Sequence, residues 1–128
     1  MPQERFFSDE QKAIVVLKAY SRIVDAWALS ATEAAALLNV SAEDWDRIQQ
    51  ASFEHGLSEE QLLRISATVG IYQALETYFE EPLSRTWFTR PNDGRLFNGN
   101  RPIDTAIAGG LPLLIEIRRY VDALLMGF

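Results

Sequence analysis

Residues 30–52, SATEAAALLNVSAEDWDRIQQAS, decide the class of fold. Ser30 and Glu33 have capping-box spacing. The serine hydroxyl accepts from an early helical N–H, and the glutamate three residues on reaches back to the serine's own N–H. Ser41 and Asp44 sit at the same spacing and cap a second helix. Two short helical patterns follow from these caps. Residues 32–38 turn Ala34, Leu37 and Leu38 inward, and residues 42–50 carry Trp45 and Ile48 as an apolar face. Asn39-Val40-Ser41 joins them, with Val40 placed to fill the turn, while Ala34 and Ala35 are small enough for close helix approach. These are the proportions of a helix-turn-helix.

The helical spacing continues on both sides. Ser8 and Gln11 form an upstream capping box, followed by Ile14, Leu17, Tyr20, Val24 and Trp27 at intervals of three and four. Ser58 and Gln61 form another, followed by Leu62, Ile65, Val69, Tyr72, Leu75 and Phe79. Gly70 lies inside this long helix and weakens it by about 1 kcal/mol relative to alanine. Pro82 closes it, because proline disfavours helical backbone in the residue before it.

Breakers concentrate in residues 90–112: Pro91, Gly94, Gly99, Pro102, Gly109, Gly110 and Pro112. Around them, residues 83–89 read as a short helical turn, 91–94 as a turn, and Leu96-Phe97 as an apolar anchor. Pro102 suits the first turn of a short helix that stops at Gly109 or Gly110. A last helix starts near Leu111-Pro112 and carries Leu114, Ile117, Val121, Leu124 and Leu125. Nothing alternates with period two over a useful length. The expectation is an all-α fold of six or seven helices. An N-terminal helix-turn-helix-like bundle over residues 1–80 packs on a C-terminal helical domain over residues 81–128.

Composition excludes several classes of function. The chain has 128 residues, no cysteine and one histidine. Disulfides, thiolate metal sites, a cysteine nucleophile and a multi-histidine site are therefore ruled out. The opening MPQERFFSDE does not read as a signal peptide, and no apolar stretch is long enough for a membrane span, so a cytoplasmic location is expected. The net charge is −6, and it is uneven. Residues 1–60 carry 11 acidic and 5 basic side chains, whereas residues 61–128 carry 7 of each.

That asymmetry bears on the helix-turn-helix. In a DNA-binding unit the second helix enters the major groove with its N-terminal side chains toward base edges. The candidates for that role are Ser41, Ala42, Asp44, Trp45 and Arg47. Glu43, Asp44 and Asp46 would face phosphates there, and Arg47 alone is positive. DNA affinity comes largely from cations that neutralise phosphates, so this helix is a poor match, offset in part by Lys12, Lys18 and Arg22 upstream. His55-Gly56 reads as a helix stop rather than a catalytic pair. Glu80 and Glu81 are adjacent and point apart, and no phosphate-loop spacing exists. No enzyme, metal site or cofactor is expected.

The C-terminal third carries an ordered set of residues: Trp87, Pro91-Asn92, Leu96-Phe97, Arg101-Pro102-Ile103-Asp104, Gly109-Gly110, and a helix ending Tyr120-Val121-Asp122-Ala123-Leu124 before Gly127-Phe128. This set resembles the toxin-binding domain of the Xre/MbcA/ParS-like antitoxins, and the upstream hairpin fits that family's architecture. The resemblance implies a protein that binds and blocks an NAD-consuming toxin with a RES domain, its C-terminal segment covering or entering the nucleotide cleft. It also implies toxin-facing positions at Arg118, Tyr120, Asp122, Met126, Gly127 and Phe128. Trp87, Pro91, Leu96, Pro102 and Asp104 would shape the domain. The partners expected are the toxin, promoter DNA, and a second copy or a hetero-oligomer with the toxin. The alternative is a transcriptional regulator whose main task is binding its own promoter.

Overall fold

Serine caps set the start of three helices in the computed structural model, which describes residues 9–52 and 56–127. The fold is all-α. Helix α1 spans Asp9–Ala26, α2 Ala31–Leu38, α3 Ala42–Gln49 and α4 Glu59–Tyr78. A short helix α5, Leu83–Thr86, runs into a 3-10 turn at Trp87–Thr89, and α6 spans Pro102–Leu125. The Ser30 hydroxyl accepts from the Glu33 N–H, while the Ser30 N–H donates to the Glu33 carboxylate, both at 3.0 Å. Ser58 and Gln61 repeat this box, and Ser41 accepts from the Asp44 N–H at 3.0 Å. The Ser8 box, the His55 cap and Phe128 lie outside the described residues.

The end of α2 is closed by its neighbours. Asn39 takes left-handed backbone (φ 65°), and its N–H donates to Ala35 and Ala36 carbonyls. Terminal helical carbonyls need outside partners. The Gln61 side chain donates to the Asn39 carbonyl at 2.9 Å, and Arg64 Nη1 donates to the Leu37 carbonyl at 3.1 Å. The first turns of α4 thus hold the α2–α3 hairpin in place.

One core joins both halves of the chain. Ile65, Ile71 and Leu75 of α4 are buried with Ile103, Leu114, Ile117 and Val121 of α6. Trp27 stacks on Phe88 with ring centroids 4.4 Å apart. Leu17, Tyr20, Val24 and Trp27 are buried as their spacing predicts, but Ile14 is 54% exposed and Leu62 39% exposed. Ile71, Ala67 and Ala74, outside the predicted stripe, are buried instead. The reason is that α4 is approached by α1, α2, α5 and α6 rather than from one side. Helix α4 also stops at Tyr78, ahead of Pro82, because Phe79 turns to extended backbone (φ −116°, ψ 153°).

The break predicted at Gly109-Gly110 is real but contains no loop. Gly110 (φ 71°, ψ −154°) interrupts α6 and joins its two arms directly. That conformation is essentially confined to glycine. Gly110→Ala should therefore destabilise the fold by about 1–3 kcal/mol, read as a lower midpoint in chemical denaturation. An unchanged midpoint would refute a need for glycine there.

Candidate functional site

The second arm of α6 buries Leu114, Ile117 and Val121 and turns its other faces outward. Arg118, Asp122 and Met126 recur at intervals of four, which aligns them on one face. Arg118 Nε stands 4.0 Å from Asp122 Oδ2, with side chains 46% and 52% exposed. Beyond them Leu125 is 40% and Met126 71% exposed, and Gly127 takes φ 82°. This strip is charged in its middle and apolar toward its C-terminal end.

Tyr120 lies elsewhere. It packs against Phe97 at 5.3 Å and Trp87 at 6.2 Å between ring centroids. Its hydroxyl closes over Gly94, where a Cβ would come within 2.7 Å of it. Tyr120 therefore fastens the 91–100 loop, in which the Gly94 N–H donates to Asn92 Oδ1 at 2.8 Å. Of the toxin-facing candidates, Arg118, Asp122 and Met126 share a face with Gly127 following, Tyr120 stands apart, and Phe128 is outside the described residues. The spacing of the last helix turns Leu125 inward, whereas its 40% exposure adds it to the strip.

The α2–α3 hairpin presents its own surface. Ser41 and Ala42 are exposed at the start of α3, with Glu43 and Asp46. Asp44 holds Arg47 at 2.8 Å, so the helix's single cation is already paired. Trp45 corrects the sequence reading. It is 3% exposed and meets Tyr20 edge-on at 5.6 Å, so its place is the core and no base edge can reach it. Tyr20 donates to the Ala34 carbonyl at 2.7 Å, and burial pushes its phenol above its ordinary value. Lys18 and Arg22 line a groove beside α3 with Ile14, Ile48 and Ala51.

Arg101 ties the hairpin to α6. It donates to Glu33 at 2.9 Å and to both Asp104 oxygens at 2.8 Å. Glu33 thus serves the capping box and the clamp together. The Ser30 N–H, and after it Arg101, hold the Glu33 carboxyl below its ordinary value against the opposing effect of burial. Arg101 does the same to Asp104. Among the described residues no group of His, Cys, Asp or Glu is arranged to hold a metal ion, and no helix is long and apolar enough to cross a membrane.

Fold and surfaces together define an all-α protein with an acidic helix-turn-helix-like hairpin clamped to a C-terminal helix that presents a mixed charged and apolar strip. No family model and no solved structure matches the chain. It is 30% identical over 121 residues to the uncharacterized protein y4oB of Sinorhizobium fredii (strain NBRC 101917 / NGR234), covering 91% of this chain and 88% of that protein. The chain belongs to the same family as that protein.

The clamp has a testable pH signature. Glu33 and Asp104 titrate lower when folded. Their contribution is complete above the ordinary carboxylate range of about pH 4 and is lost as pH falls through the depressed values. Arg101→Gln should lower stability at neutral pH by about 1 kcal/mol, the pair being partly exposed. It should also flatten the fall of Tm between about pH 5 and about pH 3. A variant that keeps the wild-type slope would remove Arg101 as the cause.

Proposed function

We propose that this chain is an antitoxin that binds and blocks an NAD-consuming toxin of the RES class. The observation that carries the reading is the α6 strip, where Arg118 and Asp122 lead into exposed Leu125 and Met126. Surface that is both apolar and charged, on a helix anchored by fully buried Leu114, Ile117 and Val121, is suited to a protein partner. The ordered motif from Trp87 to Gly127 supports the same reading through its resemblance to the toxin-binding domain. Charge agrees as well. A cleft that binds a dinucleotide diphosphate is electropositive, and a chain of net charge −6 is steered toward it, which raises the association rate more than the final affinity. In this reading the last turn of α6 and the residues after it cover the toxin's nucleotide cleft.

A second reading is promoter binding through the α2–α3 hairpin. Lys18 and Arg22, lining the groove next to α3, favour it as phosphate contacts. The exposed Glu43 and Asp46, and the pairing of Arg47 with Asp44, weigh against it.

Deletion of residues 124–128 tests the first reading in an NAD⁺-depletion assay with the RES-domain toxin that the reading requires, sought as the product of the adjacent gene. Inhibition should fall at least about tenfold, equivalent to about 1.4 kcal/mol of binding. Full inhibition by the shortened chain would exclude the covering role. For the second reading, a gel-shift on the chain's own promoter should give weak binding with a shallow salt dependence. A steep dependence would show extensive phosphate contact.

A further inference from the structure

A groove of about 380 Å³ runs between α1 and α4. Val15, Val16, Leu62 and Val69 line it, and Val15 and Leu62 leave 56% and 39% of their surface open. Among the described residues, Arg118 is the one charged side chain that lines it. It lies there because Gly70, in the middle of α4, has no side chain. A methyl group at that position would run into Arg118 from Cδ to Cζ. The backbone at Gly70 is ordinary helix, so its conformation does not require glycine. The one charged partner of Arg118 among the described residues is Asp122, at a distance too long for a good hydrogen bond. A half-exposed guanidinium with donors to spare therefore closes one end of an apolar trough, next to the α6 strip.

We infer that this groove receives an apolar segment of the toxin that carries a carboxylate, and that Gly70 is the residue that positions Arg118 to meet it. Apolar side chains lie along Val15 and Leu62, and the carboxylate pairs with the planar fork of Arg118. Charge complementarity selects this occupant. One cation at the end of an apolar trough matches one acid on an apolar segment, whereas a nucleic-acid backbone calls for several cations. The inference rests on the inhibitor reading and names a second contact for it, made by Arg118 in the middle of the α6 strip rather than by the last turn that covers the cleft.

The test compares the wild-type chain with Gly70→Ala, Arg118→Gln, Arg118→Lys and the Gly70→Ala/Arg118→Gln double variant. Binding to the RES-domain protein is measured by calorimetry, and Tm is measured alone. Alanine is the better helix former, and the long Arg118 side chain can swing aside, so Gly70→Ala should raise Tm by roughly 3 °C. It should nevertheless weaken the complex about tenfold, and Arg118→Gln should do the same. The double variant should be no worse than either single one, because both remove the same contact. Arg118→Lys, which keeps the charge without the fork, should recover part of the loss. A complex indifferent to Gly70→Ala and Arg118→Gln, or additive losses in the double variant, overturns the seat and leaves the inhibitor reading standing. If the wild-type chain forms no complex, both fall.

Discussion

Helix α4 is enclosed from several directions at once, and that constraint organises the molecule. Helices α1, α2, α5 and α6 all pack on it. A helix covered from several sides needs a broad apolar or small-residue face, and α4 keeps a strip through Glu59, Leu62, Leu63, Ser66, Gln73 and Thr77 open to solvent. Ala67 and Ala74 let neighbours approach, and Thr68 is buried only because its hydroxyl donates to the Arg64 carbonyl at 2.8 Å. Helix α6 follows α4 because Gly110 redirects its second arm. With Leu114, Ile117 and Val121 fully buried, at about 1.5–3 kcal/mol each, that arm is held firmly enough for its outer residues to be free of structural duty.

What was legible in the sequence was local. The caps at Ser30, Ser41 and Ser58 depend on partners three residues away, so spacing alone reveals them. The break at Gly109-Gly110 was visible for the same reason. The buried face of α4 was not, because Ala67, Thr68 and Ala74 belong to it and an apolar pattern of large residues passes them over. The same pattern turns Leu62 inward and leaves out Ile71. The spacing of α3 suits Trp45 both to the core and to a base-facing position, and only burial separates the two. The Arg101–Glu33 contact joins residues 68 apart in sequence and leaves no local signal. Tyr120 entered the toxin-facing set by its place in a motif, whereas its work is to hold a loop beneath an aromatic cluster.

Charge also separates the two surfaces more clearly than composition could. The fold uses part of the acid excess of the first 60 residues, Glu33 in the Arg101 clamp and Glu60 on Arg64 at 2.8 Å. Glu43 and Asp46 remain exposed on α3, while Arg47 is paired within its own helix. The C-terminal half is neutral overall, yet its cations are distributed by role. Arg85 pairs with Glu76 at 2.7 Å between α4 and α5, and Arg101 clamps Glu33 and Asp104. Arg118 has only a stretched contact with Asp122. A cation with a short, well-aligned partner is explained by the fold. Among the described residues Arg118 has none, as Arg90 and Arg95 have none, but it alone of the three lies over a helix glycine and lines the α1–α4 groove.

Gly70 and Gly110 show why residue type alone is a poor guide to cause. Both interrupt helical propensity, and from sequence Gly70 reads as a weak point inside a helix and Gly110 as a helix stop. Gly110 is needed for a backbone angle that other residues avoid, so the fold itself accounts for it. Gly70 has no such excuse, since its backbone is helical and alanine would serve the helix better. What a side chain at 70 would disturb is Arg118, a half-exposed residue that the core does not need. A stability cost accepted within the central helix for the position of a surface guanidinium is difficult to attribute to folding. It is readily attributed to recognition, because recognition is the task for which the placement of that guanidinium matters.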